Sequence, residues 1–532
     1  MIQWDKDDLE ALGLLKVDVL ALGMLTAIRK ALAYVSDWHG EALTLDRIPA
    51  EDPTVYAMLQ RADSLGVFQV ESRAQMAMLP RLKPKNYYDL VIQVAIVRPG
   101  PIQGDMVHPY LARRSGREPV TYPGPDVEKV LKRTLGVPIF QEQVMQIAMV
   151  AAGFSAGEAD QLRRAMAAWH RRGGLEKFEG RLIEGMRERG YSAEFAEQIY
   201  RQIKGFGEYG FPESHSASFA LLVYVSAWLK CHHPAAFTCA LLNSQPMGFY
   251  APAQLVQDAR RHGVDVRPID VRYSDYDCSL EGSRLKRPFA IEGSLSEPPT
   301  LCLGLRLVKG LSRQGAESIV AARLEKPFAD AADLIARTQL DRRDAEALAA
   351  ADALHGLAGH RHRAFWDMSA HEPPTPLFGQ PAFDEGEPLL RPPREGENIV
   401  ADYASTGLTL RRHPLSLLRS RLTARRLLSA AELHALGHGR FARTAGLVIC
   451  RQRPMTASGV IFLTLEDETG QTNVIVWPSL VQRQRRVLLH AGLLAVHGTV
   501  QEEDGVLHLI ARCLEDLSHW LGHLSVPCRD FH

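Results

Sequence analysis

The stretch GFGEYGFPESHS, residues 205–216, interrupts the longest helical part of the chain and decides how that part is interpreted. Glycine lowers helix stability and proline lacks an amide donor, so we expect this stretch not to form regular helix. The apolar run that follows it, Ser216 to Leu229, is too short to cross a bilayer. Loops held between helices often carry functional residues, so the stretch marks a candidate site.

Helical periodicity dominates residues 53–245 on both sides of this stretch. A second Pro- and Gly-rich interruption, VRPGPIQGD, occupies residues 97–105 and is also expected to be a loop. Nearer the N-terminus, an amphipathic helix is expected from Leu25 to Ser36, after the sequence LLKVDVLALG at 14–23.

Residues 14–20 of that sequence are expected to form a strand, in which Lys16 and Asp18 point to the same face. A charge inside an apolar run costs several kcal/mol unless it is paired or exposed to water, about the penalty for an uncompensated buried ion. Asp18 is therefore either the partner of a neighbouring basic group or a carboxylate that a wet cleft requires.

The C-terminal half changes in composition twice. Residues 301–365 suggest short helices with tight turns, and residues 369–400 are rich in Pro, Gly and acidic residues, which favours a linker or an extended segment. From Ala442 to about Leu517, five short strands with a helical insertion near 479–490 predict an OB-type barrel.

The length of 532 residues suggests three or four domains. A formal net charge of zero argues against a wholly basic nucleic-acid coat and leaves local basic grooves possible. The seven cysteines form no CxxC pair, which favours reduced thiols, and the acidic N-terminus lacks an apolar signal region. These features predict a cytoplasmic protein.

Five motifs, each weak alone, occur in an order and at spacings that closely resemble the fingers of C-family bacterial DNA polymerases, the alpha subunits of DNA polymerase III. They are FQVESR (68–73), IVRPGP (96–101), FQEQVMQIA (140–148), DQLRRAM (160–166) and YGFPESHSASFALL (209–222). LLKVDVLALGMLT resembles the end of that family's palm. YGFPESHS, TGLTLRRHPLSLLR (406–419) and an end soon after the OB-like region resemble the error-prone, damage-tolerant branch.

The resemblance implies a multidomain, mostly α-helical chain with a C-terminal all-β OB-type barrel. The implied domains are the end of the palm (1–36), the fingers (37–295), a helix-hairpin-helix region for duplex DNA (296–368), a linker with a possible clamp contact (369–430), the OB fold (431–518) and a tail (519–532).

The resemblance also implies roles for six residues. Asp18 would be the catalytic carboxylate and a Mg²⁺ ligand, and Lys16, Arg163 and Arg164 would meet the triphosphate of the incoming nucleotide. Ser214 and His215 would contact the same nucleotide, the histidine near its sugar. A solvated basic helix face is the alternative for the arginine pair, and a helix N-terminus capped by Ser214 or Ser216 is the alternative for the YGFPESHS motif.

The sequence LGLRLVKGLSRQGAESIVAAR (303–323) resembles a helix-hairpin-helix, whose backbone amides approach a DNA phosphate. Gly310 is followed by Leu311 and Ser312, so the usual second glycine is lost, although Lys309 and Arg313 can still meet phosphate. An ordinary helical hairpin is the alternative interpretation.

Two further DNA-handling features are weaker. Leu377 and Phe378 in PLFGQ resemble the end of a sliding-clamp-binding peptide, and a chance LF pair in a linker is the alternative. In the OB-like region, Arg451, Arg453 and Trp477 could hold a single strand by charge and stacking, and Trp477 could instead belong to the core.

The function implied by the resemblance is that of an error-prone, translesion DNA-directed DNA polymerase. Such an enzyme would transfer a nucleotide from a dNTP to a primer 3′-OH with two Mg²⁺ ions. The implied partners are primer–template DNA, dNTPs, the sliding clamp and damage-response accessory proteins, with no membrane. The other two palm carboxylates are expected in a PDFDVDF-like motif, which the sequence lacks, as it lacks the family's PHP domain and thumb. A C-terminal portion of a polymerase is therefore expected, with a non-catalytic DNA-binding protein as the alternative.

This expectation gives a prediction for the 532-residue chain. One aspartate cannot hold two Mg²⁺ ions in the geometry of nucleotidyl transfer, so the purified chain should not extend a primer in a gel assay with Mg²⁺ and dNTPs. Extension by this chain, with contaminating polymerase excluded, would contradict the expectation. In a polymerase that combines this chain with the paired-aspartate motif, Asp18→Asn should abolish extension and leave DNA binding nearly unchanged.

Overall fold

The computed structural model describes residues 11–14, 21–97, 106–172, 176–206, 211–281, 299–338, 340–369, 389–453, 459–503, 505–524 and 529–531. Residues 21–410 of this set, called the helical body below, share one hydrophobic core that runs from Met24 to Leu408. A separate core fills a C-terminal β-structure. The expected strand at 14–20 and the loop at 97–105 lie largely outside the described residues.

The first part of the helical body confirms the predicted helical periodicity. Its helices are α1 (Leu22–His39), α2 (Pro53–Gln60), α3 (Arg73–Leu82), α4 (Tyr87–Ile96), α5 (Val107–Arg114), α6 (Pro125–Leu131), α7 (Gln141–Ala152), α8 (Ala156–Arg172), α9 (Glu176–Glu188), α10 (Ala193–Phe206), α11 (Glu213–His232), α12 (Pro234–Leu242) and α13 (Pro252–Arg261).

Local signals begin and end these helices. The side chains of Ser72 and Asn86 accept hydrogen bonds from the backbone amides in the first turns of α3 and α4, as N-cap residues do. Gly40, at φ 72°, ends α1 in the left-handed conformation that favours glycine. None of the described helices is both long enough and apolar enough to cross a membrane.

A small sheet and a second set of helices complete the helical body. The strands β1 (Val266–Arg267), β2 (Ser279–Glu281) and β3 (Thr300–Cys302) pair in the order β1-β3-β2, parallel in the first pair and antiparallel in the second. The helices are α14 (Arg313–Glu325), α15 (Ala331–Thr338), α16 (Arg342–Ala350), α17 (His355–Ala358), α18 (Arg361–Ser369) and α19 (Glu395–Ser405). The sheet was not foreseen, whereas the short helices were.

The predicted extended segment 369–400 is partly wrong, because α19 begins inside it. The carboxylate of Glu397 accepts a hydrogen bond from the backbone amide of Arg394, which starts the helix, and Ile399 and Tyr403 are buried. Part of the acidic composition of this segment thus lies in the first turn of α19, at Glu395 and Glu397, where negative charge is favourable. Residues 370–388 lie outside the described residues.

The C-terminal β-structure, called the barrel, confirms the predicted OB-type fold. The short helices α20 (Pro414–Ala424) and α21 (Ala430–His434) precede it, and α22 (Pro478–Arg483) and α23 (Arg485–His490) are inserted in it. Its strands are β4 (Phe441–Gln452), β5 (Ile461–Glu466), β6 (Gln471–Val476), β7 (Leu493–Glu503) and β8 (Val506–Asp516). They pair in the order β5-β6-β8-β7-β4, and a β4–β5 pairing closes the barrel, with β9 (Arg529–Phe531) added beside β4.

The helical body and the barrel meet at Arg73, the last residue of FQVESR. Its Nη1 donates to the carbonyl oxygen of Leu463 at 2.6 Å, and Nη2 lies 3.4 Å from that of Val474. The guanidinium carbon lies 5.1 Å from the ring centre of Phe462, a cation–π geometry. Burial lowers the pKa of Arg73 to about 10, so the group is still charged at neutral pH when it enters the barrel surface.

Inside the helical body, Lys230 fixes α11 to its neighbours. The lysine is 1% exposed, and its Nζ lies 2.9 Å from Asp63 Oδ1, 2.7 Å from Asp258 Oδ2 and 3.0 Å from the carbonyl oxygen of Leu65. His262 Nε2 lies 2.7 Å from the other carboxylate oxygen of Asp63. Burial raises the pKa of Asp63, but the hydrogen bond from His262 and the charge of Lys230 outweigh burial and lower it to about 2.

Replacement of Lys230 by methionine would leave the two carboxylates together without their cation. We expect Lys230→Met to reduce the free energy of unfolding of the helical body by about 3–5 kcal/mol in urea titrations followed by circular dichroism. The matched change at the exposed Lys177, Lys177→Met, should cost less than about 0.5 kcal/mol. Equal losses in the two variants would contradict the role given to Lys230.

The lowered pKa of Asp63 also sets a pH dependence. Its ionised form is favoured in the folded state, so its contribution is complete above the unfolded value of 3.8 and is lost as the pH falls towards 2. We expect the free energy of unfolding to fall less in Lys230→Met than in the unaltered chain when the pH is lowered from 3.8 towards 2. Urea titrations at a series of pH values in this range measure the difference.

Candidate nucleotide and DNA interface

The described part of the motif YGFPESHS, residues 211–216, leads into α11, and its first two residues, 209 and 210, lie outside the described residues. The helix begins at Glu213 and α10 continues to Phe206, so the non-helical stretch is shorter than predicted. Neither Ser214 nor Ser216 caps the helix, contrary to the second interpretation of this motif, because the N-cap residue is Pro212.

A carboxylate from another helix takes the place of a serine cap. Glu142, in the first turn of α7, accepts a hydrogen bond from the backbone amide of Glu213 at 3.0 Å. The amide of Gln141 donates to the carbonyl oxygen of Phe211 at 3.2 Å, and Ser216 Oγ donates to that of Val91 at 2.5 Å. The start of α11 is thus fixed between α7 and α4, and a negative charge there is favourable for the helix dipole.

The side chain of Glu213 joins a second cluster at the same place. Its Oε1 accepts a hydrogen bond from Tyr88 Oη at 2.7 Å and lies 3.6 Å from Arg133 Nη1. The guanidinium of Arg133 lies 3.7 Å from the centre of the Tyr88 ring. Burial, followed by the hydrogen bond to Glu213, raises the pKa of Tyr88, which keeps the phenol as a proton donor.

Ser214 and His215 follow directly on this fixed start. Ser214 is exposed, and the imidazole of His215 is held between two aromatic rings, 5.1 Å from Phe211 and 4.2 Å from Phe219 between ring centres. The arrangement orients the imidazole by packing and leaves the serine hydroxyl accessible at a surface.

Arg163 and Arg164 lie on α8, and both reach one carboxylate. Arg163 Nη2 lies 2.8 Å from Asp160 Oδ1, and Arg164 Nε lies 2.8 Å from Asp160 Oδ2. The hydrogen bond from Arg163, opposed by slight burial and helped by the charge of Arg164, lowers the pKa of Asp160. Two guanidinium groups therefore converge on one half-buried anion at the helix surface.

The arginine pair and the Ser214–His215 pair are connected through α7. Helix α8 packs on α7, and the start of α11 is hydrogen-bonded to the beginning of α7. Among the described residues, no hydrogen bond, ion pair or ring contact links the two pairs directly. Lys16 and Asp18 lie outside the described residues, so their place beside these pairs stays a prediction.

The described residues contain one group with the composition of a metal site, Asp63, Asp258 and His262. The ammonium of Lys230 lies within 2.9 Å of both carboxylates, so the group already holds its cation. It therefore does not fit Mg²⁺.

The predicted hairpin turns at Gly310, which has a φ of 92° that favours glycine. The amide of Ser312, however, donates to Asp344 Oδ1 at 2.7 Å, and Ser312 Oγ caps α14 and donates to Asp344 Oδ2 at 2.6 Å. A buried carboxylate thus occupies an amide that a DNA phosphate could otherwise use.

The two basic residues of the hairpin differ in their freedom. Lys309 Nζ donates to the carbonyl oxygens of Tyr403 and Ala404 at 3.1 and 3.0 Å, at the end of α19. Arg313 is exposed and pairs with Glu317 at 2.8 Å, which an incoming phosphate could replace. All three of Lys309, Gly310 and Arg313 are exposed, but the ammonium of Lys309 is held by two backbone carbonyls, whereas Arg313 is held by a surface ion pair.

The three DNA contacts predicted in the barrel differ in exposure: one is buried and two are accessible. Arg451 is 8% exposed, and its guanidinium donates to the carbonyl oxygens of Leu488 and Ala491 at 2.8 and 2.6 Å. Its side chain therefore supports the barrel. Arg453 is exposed, and Trp477 is 52% exposed, which excludes the core interpretation of that tryptophan. Leu377 and Phe378 lie outside the described residues.

Glu142 and Arg73 have structural roles that were not predicted, although Glu142 lies in FQEQVMQIA and Arg73 in FQVESR. The signal for Glu142 is an acidic residue in the first turn of a helix, and its partner is set by tertiary structure. Nothing in the sequence alone indicates that Arg73 reaches the barrel.

Three family models match the chain. The model of the bacterial DNA polymerase III alpha subunit finger domain matches residues 24–190, a helix-hairpin-helix motif matches residues 263–364, and an OB-fold nucleic acid binding domain matches residues 443–517.

Curated relatives match the chain along its entire length. It is 68% identical to an error-prone DNA polymerase of Methylococcus capsulatus, 63% to one of Alkalilimnicola ehrlichii and 59% to one of Bordetella bronchiseptica. Each alignment covers 100% of this chain and 50–51% of the relative, so the chain spans about half the length of the curated relatives it matches.

The carboxylate cap on α11 can be tested by Glu142→Ala. We expect a loss of about 1 kcal/mol in unfolding free energy, as for other N-cap deletions, and faster amide hydrogen exchange at Glu213. Glu184→Ala, which removes an exposed glutamate from α9, should change neither quantity. An unchanged exchange rate at Glu213 in Glu142→Ala would show that the cap does not hold the start of α11.

Proposed function

The chain belongs to the family of bacterial DNA polymerase III alpha subunits, with error-prone DNA polymerases as its relatives along its whole length, and on this premise we propose that it is the part of such a polymerase that holds the incoming nucleotide and the DNA. The reaction is template-directed transfer of a nucleotide from a dNTP to a primer 3′-OH during error-prone, translesion synthesis. The protein works in the cytoplasm on primer–template DNA.

The observation that carries this proposal is the convergence of Arg163 and Arg164 on Asp160. A guanidinium donates in a fixed fork that matches phosphate oxygens as well as carboxylate oxygens. The carboxylate of Asp160 is bound at the helix surface and is only about one-third exposed, at 35%. A triphosphate carries more negative charge than this carboxylate, so it would displace or join Asp160 and accept hydrogen bonds from both arginines.

The fixed start of α11 supplies the second contact. Ser214 offers an exposed hydroxyl, and His215 presents an imidazole whose ring plane is set by Phe211 and Phe219. A rigid side chain beside the sugar restricts the space at its 2′-position, which would discriminate against ribonucleotides. The contacts of Glu213 with Tyr88 and Arg133 hold the start of α11, and with it Ser214 and His215, in place.

Mg²⁺, Asp18 and Lys16 enter the proposal through the family resemblance. Asp18 would bind Mg²⁺, which neutralises triphosphate charge, and Lys16 would lie near the same phosphates. The sliding clamp, reached through Leu377 and Phe378, and damage-response accessory proteins are proposed partners on the same ground.

The DNA contacts divide between two regions. Gly310 and Arg313 would meet the backbone of the duplex, with Lys309 supporting the hairpin from α19. Arg453 and the exposed Trp477 would hold a single strand, by charge and by stacking on a base. A non-catalytic DNA-binding protein is less favoured, since the relatives named here are DNA polymerases.

The test of the nucleotide role is Arg163→Ala in the full chain, with dATP and MgCl₂ titrated by isothermal calorimetry. A charge-assisted hydrogen bond to phosphate is worth about 1.5–3 kcal/mol, so the affinity for dATP should fall about 10- to 100-fold. Primer–template affinity should hardly change. The control, Arg187→Ala, removes an exposed arginine from α9 and should leave dATP binding unaltered.

Two outcomes count against this assignment. An equal loss of primer–template affinity in Arg163→Ala would place the pair on the DNA backbone. Unchanged dATP affinity would remove the arginine pair from the nucleotide site.

A further inference from the structure

A cleft with a volume of about 250 Å³ lies where the helical body meets the barrel. Arg61, Phe249 and Tyr250 line it from the helical body, and Gln452, Thr464 and Asn473 are among the residues that line it from the barrel. The cleft is separate from the arginine pair on α8 and from the exposed Trp477, none of which lines it.

The barrel wall of the cleft is built by strand alternation. Along β5 and β6, Leu463 and Val474 fill the barrel core, so the neighbouring Thr464 and Asn473 point outwards, directly opposite each other in the β-ladder. Gln452 at the end of β4 lies beside them on the same wall. In the described part of the chain, the side chains of these three polar residues make no hydrogen bond, although each is partly buried.

The opposite wall carries aromatic rings and arginines, together with the buried carboxylate of Glu71. Phe249 is 39% exposed, so its side chain is accessible from the cleft. Tyr250 is fixed by a 2.8 Å hydrogen bond from its hydroxyl to the carbonyl oxygen of Glu71. Arg61 is exposed at the rim, and within the described ranges its guanidinium has neither a hydrogen bond nor an ion pair.

Arg73 holds the two walls at a fixed separation, because its guanidinium crosses from α3 to the carbonyl oxygens of Leu463 and Val474. These are the inward-facing neighbours of Thr464 and Asn473, so the contact fixes the very strands that carry the polar wall. The cleft is therefore pre-formed and needs no closure to bring its walls together.

We propose that this cleft binds one unpaired nucleotide. The base stacks on the ring of Phe249 on one wall and forms hydrogen bonds with the side-chain amides of Gln452 and Asn473 on the other. The phosphate of the nucleotide lies towards Arg61. Side-chain amides can donate to and accept from base edges, and aromatic rings stack on bases of any sequence. A volume of about 250 Å³ is slightly below the range of ordinary ligand pockets, about 300–1,000 Å³, which suits one base and excludes a duplex.

This inference rests on the proposed function, because a polymerase must guide its unpaired template past the fingers. The same chemistry would also recognise a free nucleotide. The two sources are a base within a single strand and a mononucleotide in solution, and they are distinguished by the ligand offered.

The test uses the full chain and a double variant, Gln452→Ala with Asn473→Ala. Binding of a short fluorescein-labelled oligo(dT) is measured by anisotropy, and dTMP is titrated as a competitor. Loss of two neutral hydrogen bonds should weaken oligo(dT) binding about 5- to 30-fold, while blunt duplex binding and the melting temperature stay unchanged. A second variant, Phe249→Leu, keeps an apolar side chain and should weaken oligo(dT) binding by a similar factor through lost stacking.

The matched control is Gln198→Ala, which removes an exposed amide from α10, outside the cleft, and should change nothing. Competition by dTMP at concentrations near those of oligo(dT) would support the cleft with a free nucleotide as its source, and competition only by oligonucleotide would support the single strand. Unchanged oligo(dT) affinity in both folded variants would overturn the inference.

The result is separable from the test of the polymerase assignment. Weaker oligo(dT) binding in the cleft variants, together with unchanged dATP affinity in Arg163→Ala, would keep the cleft and reject the nucleotide role of α8. The reverse pattern would keep that role and reject the cleft.

Discussion

The guanidinium of Arg73 is the contact on which the arrangement of the two halves depends. It belongs to the helical body by sequence, yet its hydrogen bonds go to backbone carbonyls of barrel strands and its face lies over Phe462. Within the described residues no carboxylate pairs with it, so its charge is balanced by carbonyl dipoles and an aromatic ring. Such a buried charge is costly if a partner is removed, which makes the docked arrangement specific.

Other basic side chains are also bound by groups of the protein itself. Two cations that the sequence assigns to DNA are hydrogen-bonded within the protein, Lys309 to the end of α19 and Arg451 to two carbonyls in the barrel. Lys230 is likewise bound by two aspartates. The basic groups that remain accessible include Arg164, Arg453 and Arg61. A chain with no net charge can therefore still present local sites for phosphate, because binding follows local contacts.

Much of the fold could be predicted from the sequence, since it is encoded in local patterns. The helix at Leu22–His39 follows from its apolar period, and the five barrel strands follow from alternation between turns. Gly310 is where a hairpin needs a positive φ, which its sequence context indicates. These elements depend on residues close together in the chain.

What could not be predicted depends on distant partners. Ser214 and Ser216 resemble caps, but Glu142 from α7 holds the helix start; Arg451 resembles a DNA contact, but carbonyls across the barrel bind it. Asp344 accepts a hydrogen bond from the amide of Ser312, although no local sequence pattern connects these two residues. The candidate site was thus predictable in its residue types, whereas the division between engaged and accessible side chains required the tertiary structure.

The central claim is that the helical body and the barrel form one surface for nucleic acid, with an unpaired base between them. Photocrosslinking tests it most directly: an oligonucleotide with a single 4-thiothymidine is irradiated with the full chain, and the adducts are mapped by mass spectrometry. We expect this one base to crosslink both to the peptide containing Phe249 and Tyr250 and to barrel peptides containing Gln452 or Asn473. Crosslinks confined to the barrel surface around Trp477, with none in the helical body, would contradict it.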